Sequence, residues 1–285
     1  GVGRVQGALQ AGEELGSTQL VVTVPEGRRT LADLSLDNTG SRFTGQYRLS
    51  GHWQWNNPLR SGDRLDLRAT LSDQALAYAQ AQWDTPLGVR GWRVGFQTAF
   101  SRYELAEQFA ALDAHGDSLT VGLNARYPLV TAVQREVLFD LALEQRDLSD
   151  EIGLYAQTTD KQVQDLVLTL SGSRTQGSWA GAWRVSGTSG QLSIDPLKER
   201  QRDRLSARTE GGFTKAELSG SYLYTQSDKQ GIYLSLNGQL ASKNLDSSEK
   251  MLLGGIGGVR AYPSGEGQGD EGWQATAEWR YRVLP

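Results

Sequence analysis

Hydrophobic and polar side chains alternate along most of this chain with a period of two residues. Between Ile232 and Leu240 the apolar side chains fall on even positions, and between Trp273 and Val283 they fall on odd positions. Because successive residues of a β-strand point to opposite sides of the sheet, this pattern predicts strands with one apolar and one polar face. About twelve such segments can be counted. They lie at 28–38, 44–56, 63–72, 75–84, 91–101, 118–127, 135–146, 162–172, 177–187, 211–225, 230–242 and 272–283.

Aromatic residues indicate which solvent the apolar face meets. All eight tryptophans lie on that face, and several, such as Trp55, Trp92 and Trp179, stand beside short turns. Tryptophan and tyrosine favour the boundary between lipid headgroups and hydrocarbon, so this row resembles the aromatic girdle of a membrane barrel. Long connections alternate with the short turns at 102–117, 147–161, 188–210 and 243–271.

Together these features predict an all-β protein, a transmembrane antiparallel β-barrel of a bacterial outer membrane. A soluble all-β domain, with its apolar face turned inward, is the alternative.

The composition is compatible with this barrel and argues against other classes of protein. A mean hydropathy of -0.47 suits strands of which only every second residue meets lipid. The chain has no cysteine and only two histidines, His52 and His115. Neither a disulfide framework nor a metal site is therefore predicted. A net charge of -4 gives no general attraction to nucleic acid.

Charged residues are frequent on the polar face, which would line the inside of the barrel. They are Arg48, Arg64, Asp66, Arg68, Arg93, Arg126, Asp140, Glu144, Arg184, Lys215, Glu217, Glu278, Arg280 and Arg282. A barrel of roughly twelve strands or more is too wide to be filled by side chains alone, so it holds a channel, a plug or a folded-in loop. Carboxylate pairs such as Asp66 with Asp140 are expected in such a lumen, and no enzyme is predicted.

The segment from Ser248 to Gly272 is rich in glycine and contains one literal nucleotide-binding pattern. Residues 267–272 read Gly-Gln-Gly-Asp-Glu-Gly. No βαβ unit surrounds them and a strand follows them, so neither a nucleotide site nor any other cofactor is predicted. Dense glycine instead suits a loop that folds back on itself in a confined space, with a solvated surface loop as the alternative.

The same segment resembles the loop between the eleventh and twelfth strands of the two-partner secretion transporter (TpsB) family. Position 261 is Ala where that family usually has Gly. A second stretch, 36–45 followed by 57–59 and 62–63, resembles the family's first hairpin and turn. The elements that carry the resemblance of the loop are Ser248-Glu249, Leu253-Gly254-Gly255, Val259-Arg260-Ala261-Tyr262-Pro263, Gly265-Glu266 and Gly269-Asp270 with Gly272.

The resemblance implies a domain order and a function. Residues 1–27 resemble the C-terminal end of a periplasmic POTRA domain. Residues 28–285 are expected to form about twelve of the sixteen strands of the family's barrel, so the sequence looks like a fragment. The family secretes a partner protein without a cofactor, usually a large β-helical adhesin, haemolysin or contact-dependent toxin. The expected partners are this exoprotein and outer-membrane lipid, around a monomeric barrel.

The resemblance also implies a site, because the family's loop folds into the lumen and its arginine meets an acid of the inner wall. The usual acid lies on a strand beyond Pro285, and Glu278 on the lumen face is a secondary candidate for the partner of Arg260. A barrel-assembly factor of the same superfamily and a passive porin are the alternative functions. The expected site residues are Gly254, Gly255, Val259, Arg260, Ala261, Tyr262, Pro263, Gly265, Glu266, Gly269, Asp270 and Gly272.

Overall fold

The computed structural model describes residues 6–14, 16–23 and 27–283. Parts of the segment expected to close a POTRA domain, residues 1–5, 15 and 24–26, lie outside the described residues, as do residues 284–285 of the expected barrel. Sixteen strands are formed in this part of the chain. They are β1 (Gln6–Ala11), β2 (Thr18–Thr23), β3 (Thr30–Asp37), β4 (Arg48–Asn56), β5 (Arg64–Ser72), β6 (Ala77–Leu87), β7 (Trp92–Glu104), β8 (Ala114–Ala132), β9 (Arg135–Ile152), β10 (Gln157–Gln176), β11 (Trp179–Asp195), β12 (Gly211–Ser227), β13 (Gln230–Ala241), β14 (Met251–Leu252), β15 (Gln268–Gly269) and β16 (Gly272–Tyr281).

Helical structure is sparse in the described ranges. One α-helix, α1 (Leu197–Leu205), follows β11, and three short 3₁₀ turns span Glu107–Leu112, Gly153–Tyr155 and Ser247–Glu249. No helix among the described residues is long and apolar enough to cross a membrane.

Twelve strands form one antiparallel sheet, which is the wall of the barrel. Strands β3 to β13 pair in chain order, and β16 pairs with β13. Each of the twelve predicted strands overlaps one strand of this sheet, so alternation located every strand of the wall. Two small ladders lie outside the sheet, β1 with β2 and β14 with β15.

The central strands are longer than the alternation predicts. Strands β8 to β11 contain 17 to 20 residues, and the predicted loop at 147–161 shrinks to the turn between Ile152 and Gln157. Outward-facing residues near this turn are polar, for example Gln162, whose amide donates to Asp147 Oδ1 at 2.8 Å. Beyond the hydrocarbon the outer face of a strand meets water, so the apolar alternation ends while the backbone ladder continues.

Aromatic side chains on the outer face pair close to the short turns. The ring centroids of Trp92 and Tyr127 are 4.8 Å apart, and those of Trp179 and Tyr222 are 6.1 Å apart. Similar pairs join Trp53 with Trp55, and Trp279 with Tyr281. The pairs lie on strands from both halves of the sheet, as a girdle at one membrane boundary requires.

Candidate functional site

The inner face of the wall is lined by paired charges. Arg64 contacts Asp66 at 2.8 Å, and Arg126 contacts Asp140 at 2.5 Å. His52 also lies 3.1 Å from Asp66. The carboxylates of Asp66 and Asp140 therefore face basic groups of their own instead of each other, and nothing in their geometry resembles an acid-base pair. In the described ranges no cluster of three or more His, Cys, Asp or Glu side chains is placed to hold a metal ion.

A long loop, residues 242–271, lies against this inner face. We call residues 245–250 the stem and residues 254–266 the tip. Between them, β14 and β15 pair in a short ladder that joins the two legs of the loop, with Met251 opposite Gly269. The stem and the tip contact different parts of the wall and do so in different ways.

Apolar packing fixes one side of the stem. Leu245 is 2% exposed and packs in a cluster on the inner wall with Val163, Leu192, Ile194 and Phe213. These partners come from three neighbouring strands, β10, β11 and β12. Burying a leucine side chain contributes about 1.5–3 kcal/mol relative to leaving it in water. The loop therefore completes a small hydrophobic core inside the barrel.

Ion pairs fix the other side of the stem. Glu249 is 4% exposed, and its carboxylate contacts Arg146 Nη1 at 2.6 Å and Lys215 Nζ at 3.0 Å. Asp246 contacts Lys161 Nζ at 2.9 Å. Buried charges of this kind are retained only where they are paired, because a lone charge away from water is costly. The stem thus presents two acids to basic groups of β9, β10 and β12.

The ionised state of Asp246 favours this contact. Burial by itself raises the pKa of Asp246, but the ammonium group of Lys161 and the hydrogen bonds from Lys161 and Ser248 outweigh it. The net effect is a pKa below the ordinary value for aspartate. Asp246 therefore stays ionised beside Lys161 at neutral pH.

Hydrogen bonds close the tip on itself. The amides of Gly254 and Gly255 donate to the carbonyls of Glu266 and Tyr262, both at 3.0 Å. A Cβ on Gly254 would lie 2.3 Å from the carbonyl oxygen of Pro263, and Gly255 has a φ of 109°. Glycine is required at both positions because other residues would clash or be strained there. The many glycines of this segment thus allow the tip to fold back compactly on itself.

The contacts of the tip with the wall are few, and its ion pair is exposed. Arg260 Nη2 donates to Glu278 Oε1, while Arg280 Nε donates to the other carboxylate oxygen, Glu278 Oε2, at 2.9 Å. Gln274 Nε2 donates to the carbonyl of Gly257 at 3.3 Å. Arg260 remains 62% exposed. The guanidinium thus shares one carboxylate with a second arginine.

The depth of this contact follows from the strand geometry. Glu278 lies six residues beyond Gly272, where β16 begins at the end of the long loop. At about 3.3 Å per residue, Arg260 meets the wall roughly 20 Å along β16 from that end. The tip therefore extends well into the barrel.

The remaining predicted site residues lie at several places along the loop. Glu266 lies 3.8 Å from Arg42, and its neighbour Ser264, which was not among the predicted residues, donates to the carbonyl of Thr39 at 3.0 Å. Asp270 accepts a hydrogen bond from the Leu245 amide at 2.8 Å and so joins the two legs of the loop. Residues Val259, Ala261, Tyr262 and Pro263 are exposed, Gly265 has a positive φ, and Gly269 and Gly272 pair in β15 and β16.

Several residues that hold the loop were not singled out from the sequence. They are Arg146, Lys161, Leu245, Asp246 and Glu249. Glu249 belongs to the Ser-Glu element of the motif, which was noticed only as part of a resemblance. The other four carry no local signal, because an isolated Leu, Asp or Arg is common in loops and lumen-facing strands.

Known proteins share both the sequence pattern and the fold. The chain is 26% identical over 275 residues to the heme/hemopexin transporter protein HuxB of Haemophilus influenzae (strain 86-028NP), covering 96% of this chain and 49% of HuxB. It is 26% identical over 270 residues to the outer membrane transporter CdiB of Dickeya dadantii (strain 3937), covering 88% of this chain and 46% of that protein. The chain spans about half the length of these relatives.

Solved structures show the same fold. CdiB from Escherichia coli superposes with a TM-score of 0.78 at 18% identity, covering 99% of this chain and 53% of that one. BamA from Haemophilus ducreyi lacking POTRA domains 1–3 superposes with a TM-score of 0.61 at 11% identity, covering 93% and 52%. The wall described above is therefore the wall of a transmembrane β-barrel.

A family profile extends this similarity over nearly the whole chain. The profile described as "Haemolysin secretion/activation protein ShlB/FhaC/HecB" matches residues 16–283, which include the entire sheet and the long loop. The chain belongs to this family of secretion and activation proteins.

Proposed function

We propose that the protein containing this chain is an outer-membrane transporter that passes an unfolded partner protein to the cell surface. The observation that carries the proposal is the loop of residues 242–271, which lies along a charged inner wall and reaches it through an exposed contact at Arg260. The tip of this loop occupies the lumen without being packed as the hydrophobic core around the stem is. Such a loop suits a pore that opens for a large substrate.

The lining of the wall suits an extended polypeptide. An unfolded chain carries backbone amides and carbonyls without partners, and these need polar surroundings. The inner face offers charged and hydrogen-bonding groups such as Arg126, Asp140 and Gln97, whose amide donates to Glu144. A barrel of roughly twelve or more strands is wide enough to leave an aqueous channel. No nucleotide, cofactor or catalytic residue is part of the proposal, and the protein is not an enzyme.

Two relatives guide the choice of cargo. HuxB is named a heme/hemopexin transporter protein and CdiB an outer membrane transporter. We infer that the partner here is a large β-helical exoprotein, such as an adhesin, a haemolysin or a contact-dependent toxin. Residues 1–27 would close a POTRA domain that receives it, and the barrel would be monomeric with sixteen strands in the whole protein.

A barrel-assembly factor is the second candidate, because the chain also superposes on BamA with a TM-score of 0.61. The higher TM-score of CdiB, 0.78, and the match to the secretion family favour export. The two functions differ in what is lost without the protein. A transporter affects one exported protein, whereas an assembly factor affects outer-membrane proteins in general.

Gene deletion and complementation with the full-length protein test the proposal. We expect the deletion strain to lose from its culture medium and cell surface a single large exoprotein, encoded beside the transporter gene, while the other outer-membrane proteins keep their levels. Complementation restores export. A general fall in outer-membrane proteins would support assembly instead. Unchanged export with slower uptake of small solutes would support a passive porin.

A further inference from the structure

Glu249 occupies an unusual position for a loop acid. Its carboxylate is buried between basic groups of two strands, with Arg146 on β9 at 2.6 Å and Lys215 on β12 at 3.0 Å. Its backbone carbonyl accepts a hydrogen bond from Gln239 Nε2 on β13 at 3.1 Å. One residue of the loop is therefore joined to three strands of the wall.

Arg146 and Lys215 each lie near a second acid that belongs to the wall, whereas Glu249 is the acid that the loop contributes. Arg146 also lies 3.5 Å from Asp165 and 3.9 Å from Glu144, and Lys215 lies 3.6 Å from Glu217. If Glu249 lost its charge, these cations would still face carboxylates of the wall. The substitution would therefore loosen the loop while leaving the wall electrostatically balanced.

The backbone transmits the position of the stem to the tip. Lys250 is followed at once by β14, and the ladder of β14 with β15 continues into the bonds that close the tip, with Leu253 N donating to Gly267 O at 2.9 Å. A displacement of the stem is therefore carried to Arg260 as a movement of one connected unit. Beside Gly257 an inner cavity of about 430 Å³ leaves space for that movement.

We propose that Glu249 is a positioning residue, which holds the stem on β9 and β12 through Arg146 and Lys215 so that Arg260 stays within reach of Glu278. It acts through the loop and makes no contact with the proposed cargo. The inference concerns the same loop as the proposed secretion function and rests on that function for its biological meaning. The position of the loop can nevertheless be measured without any export.

Cysteine crosslinking in the full-length protein in outer-membrane vesicles provides the measurement. The described chain has no cysteine in its sequence. The substitutions Gly257→Cys in the tip and Gln274→Cys on β16 place thiols on two residues that are hydrogen-bonded through Gln274 Nε2 and the Gly257 carbonyl. A Cβ on Gly257 would have no other heavy atom within 4 Å, so the two thiols are joined by a short bismaleimide and not by a direct disulfide. We expect the additional change Glu249→Gln to reduce the yield of the crosslink roughly threefold to tenfold, because a paired, buried charge is removed from the stem.

The matched control is Glu271→Gln. Glu271 is an acid of the same loop that is exposed and accepts one hydrogen bond, from the amide of Ala241 at 3.3 Å. This variant should leave the crosslink unchanged. Heat-modifiability on electrophoresis confirms that each barrel is folded. An unchanged crosslink in folded Glu249→Gln would overturn the proposal.

A second variant covers the case in which Glu249→Gln does not fold. Lys215→Gln removes one of the two cations that contact Glu249 and leaves the ion pair of Glu249 with Arg146. It should therefore reduce the crosslink yield less than Glu249→Gln does. An unchanged yield in this variant would also overturn the proposal. If the crosslink falls as expected while export is normal, Glu249 positions the loop and export does not depend on that position. If the deletion strain loses no exoprotein while the crosslink falls as expected, the proposed function fails and the positioning role stands. If export fails with the crosslink intact, the proposed function stands and the positioning role does not.

Discussion

The stem and the tip of the long loop are fixed to the same wall by different physical means. In the stem, Leu245 is 2% exposed and Glu249 is 4% exposed, and each meets side chains from at least two strands. In the tip, Arg260 is 62% exposed and shares the Glu278 carboxylate with Arg280. Apolar burial and desolvated ion pairs hold a segment firmly, whereas exposed ion pairs contribute little to stability.

The difference indicates how one loop can be both retained in the barrel and able to move. A stem that is fixed keeps the motif inside the lumen. A tip held by exposed contacts can change partners at small energetic cost, and the cavity of about 430 Å³ beside Gly257 gives it room. The following variants test this division, in order of their expected effect on where the loop lies.

Leu245→Ala should have the largest effect. It removes most of a side chain that completes the inner hydrophobic cluster with Val163 and Phe213, so we expect the free energy of local opening of the stem to fall by about 2–4 kcal/mol. Hydrogen exchange of the amides of residues 245–250, followed by mass spectrometry, measures this change. Leu252→Ala is the control, since Leu252 is 53% exposed. Equal exchange in the two variants would show that the stem is not held by apolar packing.

Acidification should weaken the stem next. Because the folded pKa of Asp246 is lowered, its contribution is fully present above the pKa of the undocked carboxyl and is lost as pH falls through the folded value. We therefore expect the contribution of Asp246 to be unchanged between pH 7 and about pH 5 and to be lost below about pH 4. The groups around Asp246 are Lys161 and, through it, Asp150, which also accepts a hydrogen bond from the Tyr103 hydroxyl at 2.7 Å.

A spin label attached to Ser247→Cys, an exposed position of the stem, measures the loosening as increased label mobility. In Asp246→Asn the label should be more mobile at neutral pH, and the pH-dependent step should shrink. A step of the same size in this variant would assign the pH dependence to other acids.

Arg260→Ala and Arg260→Lys should affect the position of the loop only slightly but reduce export. Lysine keeps the charge and loses the planar group that contacts Glu278, so we expect both variants to lower the amount of exported partner by roughly tenfold. Barrel levels and heat-modifiability should stay normal. Ala261→Gly, which introduces the residue usual in the family, should export normally. Normal export by both arginine variants would leave Arg260 as ordinary exposed charge.

Arg42→Gln should have the smallest effect. Arg42 and Glu266 are both exposed, with their charged atoms 3.8 Å apart, and such pairs contribute at most about 1 kcal/mol. Label mobility in the stem and export should match the parent protein. Export reduced as far as in Arg260→Lys would mean that the tip depends on exposed contacts more than its geometry indicates.

The strands could be predicted because their signal is local. In β13 and β16 apolar and polar residues alternate from one end to the other, and a period of two has only one structural interpretation over such lengths. The ends of β9 and β10 could not be predicted from alternation. Past Arg146 the outer face of the hairpin carries polar residues that meet water, while the inner face packs against the long loop, so hydrogen bonds between strands continue without an apolar alternation to mark them.

The residues of the candidate site likewise fall into those that local sequence predicts and those that it does not. Alternation and composition predict the strands, their two faces, the tryptophan row and the glycine-rich loop with Arg260, because each of these features depends on neighbouring residues. The contacts that hold the loop could be found only in the folded chain. Arg146 and Glu249 are 103 positions apart in sequence, and Leu245 packs on residues from three different strands. Such contacts depend on the register and closure of the whole sheet, which bring distant residues together without leaving a pattern in either segment.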